Sequence, residues 1–271
     1  MSAPHRAYRP SGPRFGLARA LSKLGYCSRS QARELIEAAR VWLNGVLCRD
    51  WERSVQLERD RIEVDGQALA APAKVYMMLN KPRGLITTRS DEHGRPTVYK
   101  ALIDPTLPYL APVGRLDKAS EGLLLLTNDT QWADRLLAPE SHLEKRYHVQ
   151  VNCRPEPSLL DRLVRGLVAK EGDFLAVKQA RILRQGTRNS WIEIVLDEGK
   201  NRHIRRLLEC CGVQVLRLIR VAIGSLELGP LSKGAHRHLT ASEVRALISN
   251  SQVTERGYGR QPYPQPWQVK A

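Results

Sequence analysis

A chain of 271 residues, 42% of them hydrophobic, is long enough to bury a sizeable core in one or two domains. Its 43 lysines and arginines outnumber 28 acids, a formal charge of +15, so a polyanion is the expected partner. No apolar run approaches the roughly 18 to 20 residues of a membrane-spanning helix, and five cysteines without a Cys-x-x-Cys pair speak against a disulfide framework and a zinc site. Reduced thiols, a cytoplasmic location and no membrane contact are the expectations. The first 33 residues contain no acid, as in an organellar transit peptide. Folded-domain signals nevertheless begin at Leu17, so cleavage is not expected.

Residues 1–13 hold prolines and arginines without an apolar period and read as a flexible basic tail. A short helix is expected over 15–24, with Leu17, Leu21 and Leu24 on one side. A second begins at a capping box, Ser28 with Gln31, and carries Ala32, Leu35, Ile36 and Ala39 inward and Arg29, Arg33 and Arg40 outward. Asn44-Gly45 and Asp65-Gly66 each join two short strands. From 14 to 40, six basic residues face Glu34 and Glu37, a net of +4. From 41 to 70, four face six acids, a net of −2. The positive charge therefore gathers on the helices, as a phosphate-binding surface requires, although a solvated face is the ordinary meaning of such a stripe.

A small-residue linker at 70–73 marks a domain boundary, and a buried strand over 75–79 ends in Asn80-Lys81-Pro82-Arg83-Gly84, a turn with two cations able to touch phosphate. Residues 87–112 read as loop, with Arg89, His93 and Arg95 open to a nucleic acid. The stretch 113–129 organises the chain. Gly114-Arg115-Leu116-Asp117 leads into four consecutive leucines, 123–126, which read as a fully buried strand. Asp117 is thus an acid on a loop held by a core element, a position suited to chemistry and equally to a turn-capping aspartate.

A helix follows over 131–137, packing Trp132, Ala133, Leu136 and Leu137, then a strand over 145–152 with Tyr147, Val149 and Val151 on one side. Further expectations are a helix over 159–167, a strand over 191–197, and a basic helix in 198–212. In that helix Ile204, Leu207, Leu208 and Cys211 face inward, and Arg202, Arg205, Arg206 and Glu209 outward. Residues 200–220 carry six basic residues against Glu209 alone, more than a solvated face needs. Paired strands over 213–228, an exposed turn over 236–240, a last helix over 242–248 and a disordered tail over 251–271 complete the reading. His236 and His238 lack a third ligand, so no metal is expected.

The helices with Ser28-Arg29-Ser30-Gln31-Ala32 and the Asn44-Gly45 hairpin resemble the S4 RNA-binding domain, with Ala39 standing where that family usually has glycine. The Asn-Lys-Pro-x-Gly turn, the Gly-Arg-Leu-Asp loop before its leucine strand, Glu144-Lys145-Arg146-Tyr147 and the run 198–212 resemble, in that order, the RNA pseudouridine synthases that modify ribosomal RNA, in the branch holding the small-subunit enzyme and its large-subunit relatives. The resemblance implies an α+β fold: an S4 domain at 14–70, then a catalytic domain at 74–250 built on a mixed, mainly antiparallel sheet.

It further implies that Asp117 is the nucleophile, that Tyr147 packs against the target base, and that Arg205 ion-pairs with Asp117, with Arg206 the alternative register. Arg115 would fill the gap left by the flipped base, or else form a salt bridge within its turn. Lys23, Arg29, Arg33, Arg40, Lys81, Arg202 and Arg206 would contact RNA. The implied function is isomerisation of a uridine in ribosomal RNA, the large-subunit RNA favoured, by a monomer without cofactor acting on the RNA or a ribosomal precursor particle. Two other classes remain: a ribosome-associated S4 protein without catalysis, and a hydrolase pairing Asp117 with Glu121.

Overall fold

The computed structural model describes residues 14–57, 59–69, 73–88, 91–102, 104 and 106–250. The two expected tails, most of the linker and Arg89 lie outside the described residues.

Helix α1 (Leu17–Lys23) and helix α2 (Arg29–Glu37) pack on a four-stranded antiparallel sheet ordered Val46–Leu47, Val41–Leu43, Ile62–Val64, Gln67–Ala68. Both tight turns have left-handed pairs, Asn44 and Gly45 at φ 53° and 80°, Asp65 and Gly66 at 52° and 77°, the geometry that matches strand twist. The capping box forms as expected: Gln31 N–H donates to Ser28 Oγ and Ser28 N–H to Gln31 Oε1, both at 3.2 Å. Where α2 ends, Arg40 N–H donates to the Leu35 carbonyl at 3.0 Å and Ala39 N–H to that of Ile36 at 3.1 Å, with Ala39 at φ 58°. This is the glycine-type helix ending adopted by an alanine, so the turn keeps its shape at a cost of about 1 kcal/mol. The strand pair Phe15–Gly16 with Ser54–Val55 was not expected.

The second sheet is mixed and mainly antiparallel. Its main path runs Gln179–Gln185, Ser190–Leu196, Lys145–Val151, Val215–Ile223, Glu121–Thr127, Tyr76–Lys81, His236–His238. Every adjacent pair is antiparallel except Val215–Ile223 beside Glu121–Thr127, which run parallel through Ile219↔Glu121 and Arg220↔Gly122. All seven residues of Glu121–Thr127 are buried because the strand is covered on both faces. Leu124 and Leu126 pack with Met77, Leu79, Leu110 and Leu116. Leu123 and Leu125 pack with Trp132 and Leu136 of helix α3 (Thr130–Leu137) and with Leu247 of the last helix. Helix α4 (Pro157–Arg165) and helix α5 (His203–Cys210) add Leu163, Ile204, Leu207 and Leu208 to the core around Val149, Ile192 and Ile194. The last helix is α6 (Ala241–Asn250).

Three local expectations change. Leu137 is 53% exposed, because Trp132 and Leu136, four apart, already form the inward face of α3. Residues 236–238, expected as a turn, form an edge strand on Tyr76–Lys81; their polar side chains suit an edge and hide it from a search for apolar alternation. The strand Gln179–Gln185 was missed for the same reason. No helix among the described residues is long and apolar enough to cross a membrane. The two domains touch where Lys23 Nζ donates to Thr130 Oγ1 at 2.6 Å and Tyr109 N–H donates to the Gly25 carbonyl at 3.1 Å.

Gly122 sits at the parallel pairing with φ +99°, and a Cβ there would lie 2.3 Å from the Arg220 carbonyl oxygen. Gly122→Ala should therefore cost about 3 kcal/mol or more in urea unfolding, from strain and overpacking together. Gly45→Ala, with positive φ but nothing within 4 Å, should cost only about 1 kcal/mol.

Candidate active site

Asp117 lies on the loop that enters the central strand, and three connections fix its backbone. Ser120 N–H donates to the Asp117 carbonyl at 3.0 Å, and Gly84 N–H to that of Lys118 at 2.8 Å. Thr87 Oγ1 donates to the Leu116 carbonyl at 2.6 Å. Beneath the loop lies Lys81, 0% exposed. Its ammonium donates to the carbonyls of Asp117 at 3.1 Å, Ser120 at 2.8 Å and Pro82 at 3.1 Å. All three N–H groups are thereby used. Lys81 was expected to touch phosphate; its side chain instead points inward with Met77 and Leu79 on alternate positions of one strand, and it ties the loop to that strand. Burial lowers its pKa to about 8, against the opposing pull of the Glu121 and Asp117 carboxylates.

Arg205 reaches the same loop from α5. Its Nη2 donates to the Ala119 carbonyl at 3.1 Å and its Nη1 to that of Val215 at 3.3 Å, while Nε is buried without a partner. The expected direct ion pair with Asp117 is not formed, because the guanidinium is spent on backbone two residues beyond the acid. The two interact through space. Burial lowers the Arg205 pKa, Arg202 adds to this, Asp117 opposes it and Arg83 lowers it further. Arg206 is turned elsewhere, its Nη2 at 2.7 Å from both Glu171 and Asp173, so the alternative register does not bring an arginine to Asp117.

Tyr147 packs against two core clusters, one containing Leu116 beside Asp117 and the other Ile204 beside Arg205. The loop, the tyrosine strand and the start of α5 therefore meet. Glu121 does not join Asp117 as a second acid: it accepts from Arg217 Nε and Nη2, each at 3.0 Å, and lies 2.9 Å from Lys233. Burial pushes its carboxyl up, but these two cations bring it below the ordinary range. That removes the paired-carboxylate arrangement a hydrolase would need.

The remaining expected RNA contacts divide. Arg29, Arg115 and Arg202 are exposed and make no ion pair among the described residues. Arg33 is held by Glu37 at 2.7 Å, and Arg40 Nε donates to Asp65 at 2.8 Å. Lys23 is engaged with Thr130. Arg95, read as open, is locked on Asp91 at 2.6 Å. Arg83, read as one of two turn cations able to touch phosphate, enters here through its field on Arg205. The period-two pattern Met77, Leu79, Lys81 was the sequence signal for the buried lysine, overlooked because a lysine reads as surface.

A family model described as RNA pseudouridylate synthase matches residues 75–210, and one for the S4 domain matches residues 16–67. The chain is 38% identical over 237 residues, 87% of its length and 96% of the relative's, to a protein of Rickettsia typhi named an RNA pseudouridine synthase. It is 35% identical to ribosomal large subunit pseudouridine synthase B of Bacillus subtilis, over 85% of this chain and 94% of that one. A crystal structure titled pseudouridylate synthase matches with a TM-score of 0.61 at 28% identity, covering 86% of this chain and 100% of the other.

Because the folded-state pKa of Lys81 lies below its ordinary value of 10.5, the folded chain binds fewer protons than the unfolded one between about pH 8 and 10.5. The contribution of this site to stability should therefore rise with pH across that window. Urea unfolding should show the native chain gaining on Lys81→Met from pH 8 to 10. A difference independent of pH would mean that the three carbonyls keep the ammonium charged throughout.

Proposed function

For a chain that belongs to the RNA pseudouridine synthase family, we propose that its target is a uridine of ribosomal RNA, in the large-subunit RNA before the small, with Asp117 as nucleophile. Supporting the nucleophile is the geometry around it: a carboxylate without an ion pair among the described residues, on a braced loop, with the Lys81 ammonium beneath it and Arg205 of α5 bonded to the same loop. Supporting the ribosomal target is the similarity to a large-subunit enzyme over nearly the whole of both chains.

The reaction breaks the bond from C1′ to N1, turns the uracil, and rejoins it through C5. N1 gains a hydrogen, C5 loses one to solvent, and no electrons are exchanged with a cofactor. Asp117 opens this either by adding to C6 of the uracil or by assisting departure of the base from C1′. Both routes need an ionised carboxylate where water is excluded. The Lys81 ammonium and the Arg205 guanidinium, each bonded to a carbonyl of the loop, put positive charge beside that acid. Tyr147 supplies an aromatic surface for the extruded base, whose unstacking costs a few kcal/mol. Arg115, exposed on the same loop, would fill the gap in the RNA stack, and Arg29 and Arg202, without ion pairs among the described residues, would meet phosphates.

Release of tritium from C5-labelled uridine in unmodified ribosomal RNA tests this reading. The native chain should release it without added metal, and Asp117→Asn should release none while binding the RNA within about threefold of native, the change leaving phosphate contacts untouched. Equal release by both would exclude Asp117. Binding without release by the native chain would favour a non-catalytic RNA-binding protein.

A further inference from the structure

The amino-terminal domain carries a groove that joins Arg29, Ser30 and Arg33 of the S4 helices to Trp51 and Glu52, which no motif includes. It encloses about 610 Å³ between the starts of α1 and α2 and the chain at Trp51, within the roughly 300 to 1,000 Å³ typical of ligand sites. Arg19, Arg29, Ser30, Arg33, Trp51 and Glu52 line it.

Its floor is fixed. Ala18 N–H donates to the Trp51 carbonyl at 3.0 Å, and Glu52 N–H donates to Asp50 Oδ1 at 2.9 Å. The indole packs against the core of this domain. Gly16 keeps the approach close, a Cβ there meeting the Trp51 carbonyl at 3.4 Å. Arg33 lies over the indole with its guanidinium carbon 4.6 Å from the ring centroid, and its Nε donates to Glu37 Oε1 at 2.7 Å. The result is a preformed stack of two flat groups, anchored at both ends. Arg29 stands at the rim without an ion pair among the described residues, and Arg19 lies 5.5 Å from the Phe15 ring.

We propose that this groove binds one unpaired nucleotide of an RNA: the base stacks on the Arg33–Trp51 platform, Arg29 and Arg19 take the flanking phosphates, and Glu52 accepts from the base's N–H edge. The proposal rests on the reading of the chain as an RNA enzyme and narrows it. A surface for duplex RNA alone needs cations along the backbone and gains nothing from a flat aromatic stack. Unpaired bases use such platforms, because every base presents a π-face. A carboxylate at the rim would repel phosphate, so its place beside the stack fits contact with a base edge. The contacts between Lys23 and Thr130 and between Gly25 and Tyr109 lie toward the far end of α1, and every residue that lines the groove belongs to the amino-terminal domain.

Binding of the full chain to a fluorescent single-stranded RNA and to a duplex of the same sequence, at one fixed salt concentration, tests this. Trp51→Leu should weaken the single strand by about 10-fold or more and the duplex by less than about twofold. Arg33→Met, at an exposed position, should act in the same direction if the leucine variant does not fold. In the native chain, a 5-iodouridine oligonucleotide should cross-link within residues 49–53. Equal weakening of both RNAs, no weakening of either, or cross-links confined to the catalytic domain would each overturn the proposal. The readout is binding, so it is independent of whether tritium is released.

Discussion

A buried ammonium holds the centre of this molecule in register. Removing a charged amine from water costs several kcal/mol, and the cost is offset only if its N–H groups are all satisfied. Lys81 meets that condition with three carbonyls, two of which, Asp117 and Ser120, belong to the loop before the central strand. The loop is therefore not free to wander while the lysine stays charged. The arrangement works because both partners are themselves fixed: Lys81 ends a strand that pairs with Glu121–Thr127 from Tyr76↔Thr127 to Lys81↔Gly122. Gly122 allows the neighbouring strand to approach at the one place where the two run parallel. The leucine run, the glycine and the lysine form one device for presenting Asp117.

Charge on this chain serves two purposes that its composition does not separate. Arg33, Arg40, Arg95, Arg206 and Arg217 each hold a carboxylate of the fold. Arg29, Arg115 and Arg202 hold none among the described residues, and two of these three lie on the Asp117 loop or at the start of α5. The net charge of +15 favours a polyanionic partner, and under the proposed function the uncommitted subset meets it. Arg205 stands between the two groups, committed to backbone at Ala119 and Val215 while its field still reaches Asp117.

Local signals in the sequence were legible because their physics is local. Ser28 with Gln31, Asn44-Gly45, Asp65-Gly66 and the leucine run each specify a cap, a turn or a buried strand within a few residues. What stayed hidden depends on partners far along the chain. The strands at 15–16, 179–185 and 236–238 exist through pairing with Ser54–Val55, Ser190–Leu196 and Tyr76–Lys81, and their own residues show little apolar alternation. Motif wording brought Asp117, Tyr147 and Arg205 to notice, and their elements do converge. It also turned Lys81 into a surface cation, since residue type outweighed an alternation that continued by one step into the core.

Hydrogen exchange at Gly84 and along residues 114–126 in the native chain and in Lys81→Met tests most directly whether this ammonium fixes the Asp117 loop. Exchange at Gly84 and Ser120, whose N–H groups bond to the loop carbonyls of Lys118 and Asp117, should quicken by at least about 10-fold in the variant, with Leu123 to Leu126 unchanged. Unchanged protection at Gly84 and Ser120 in a folded variant would contradict the account and leave the loop to be held by Thr87 and its own turn.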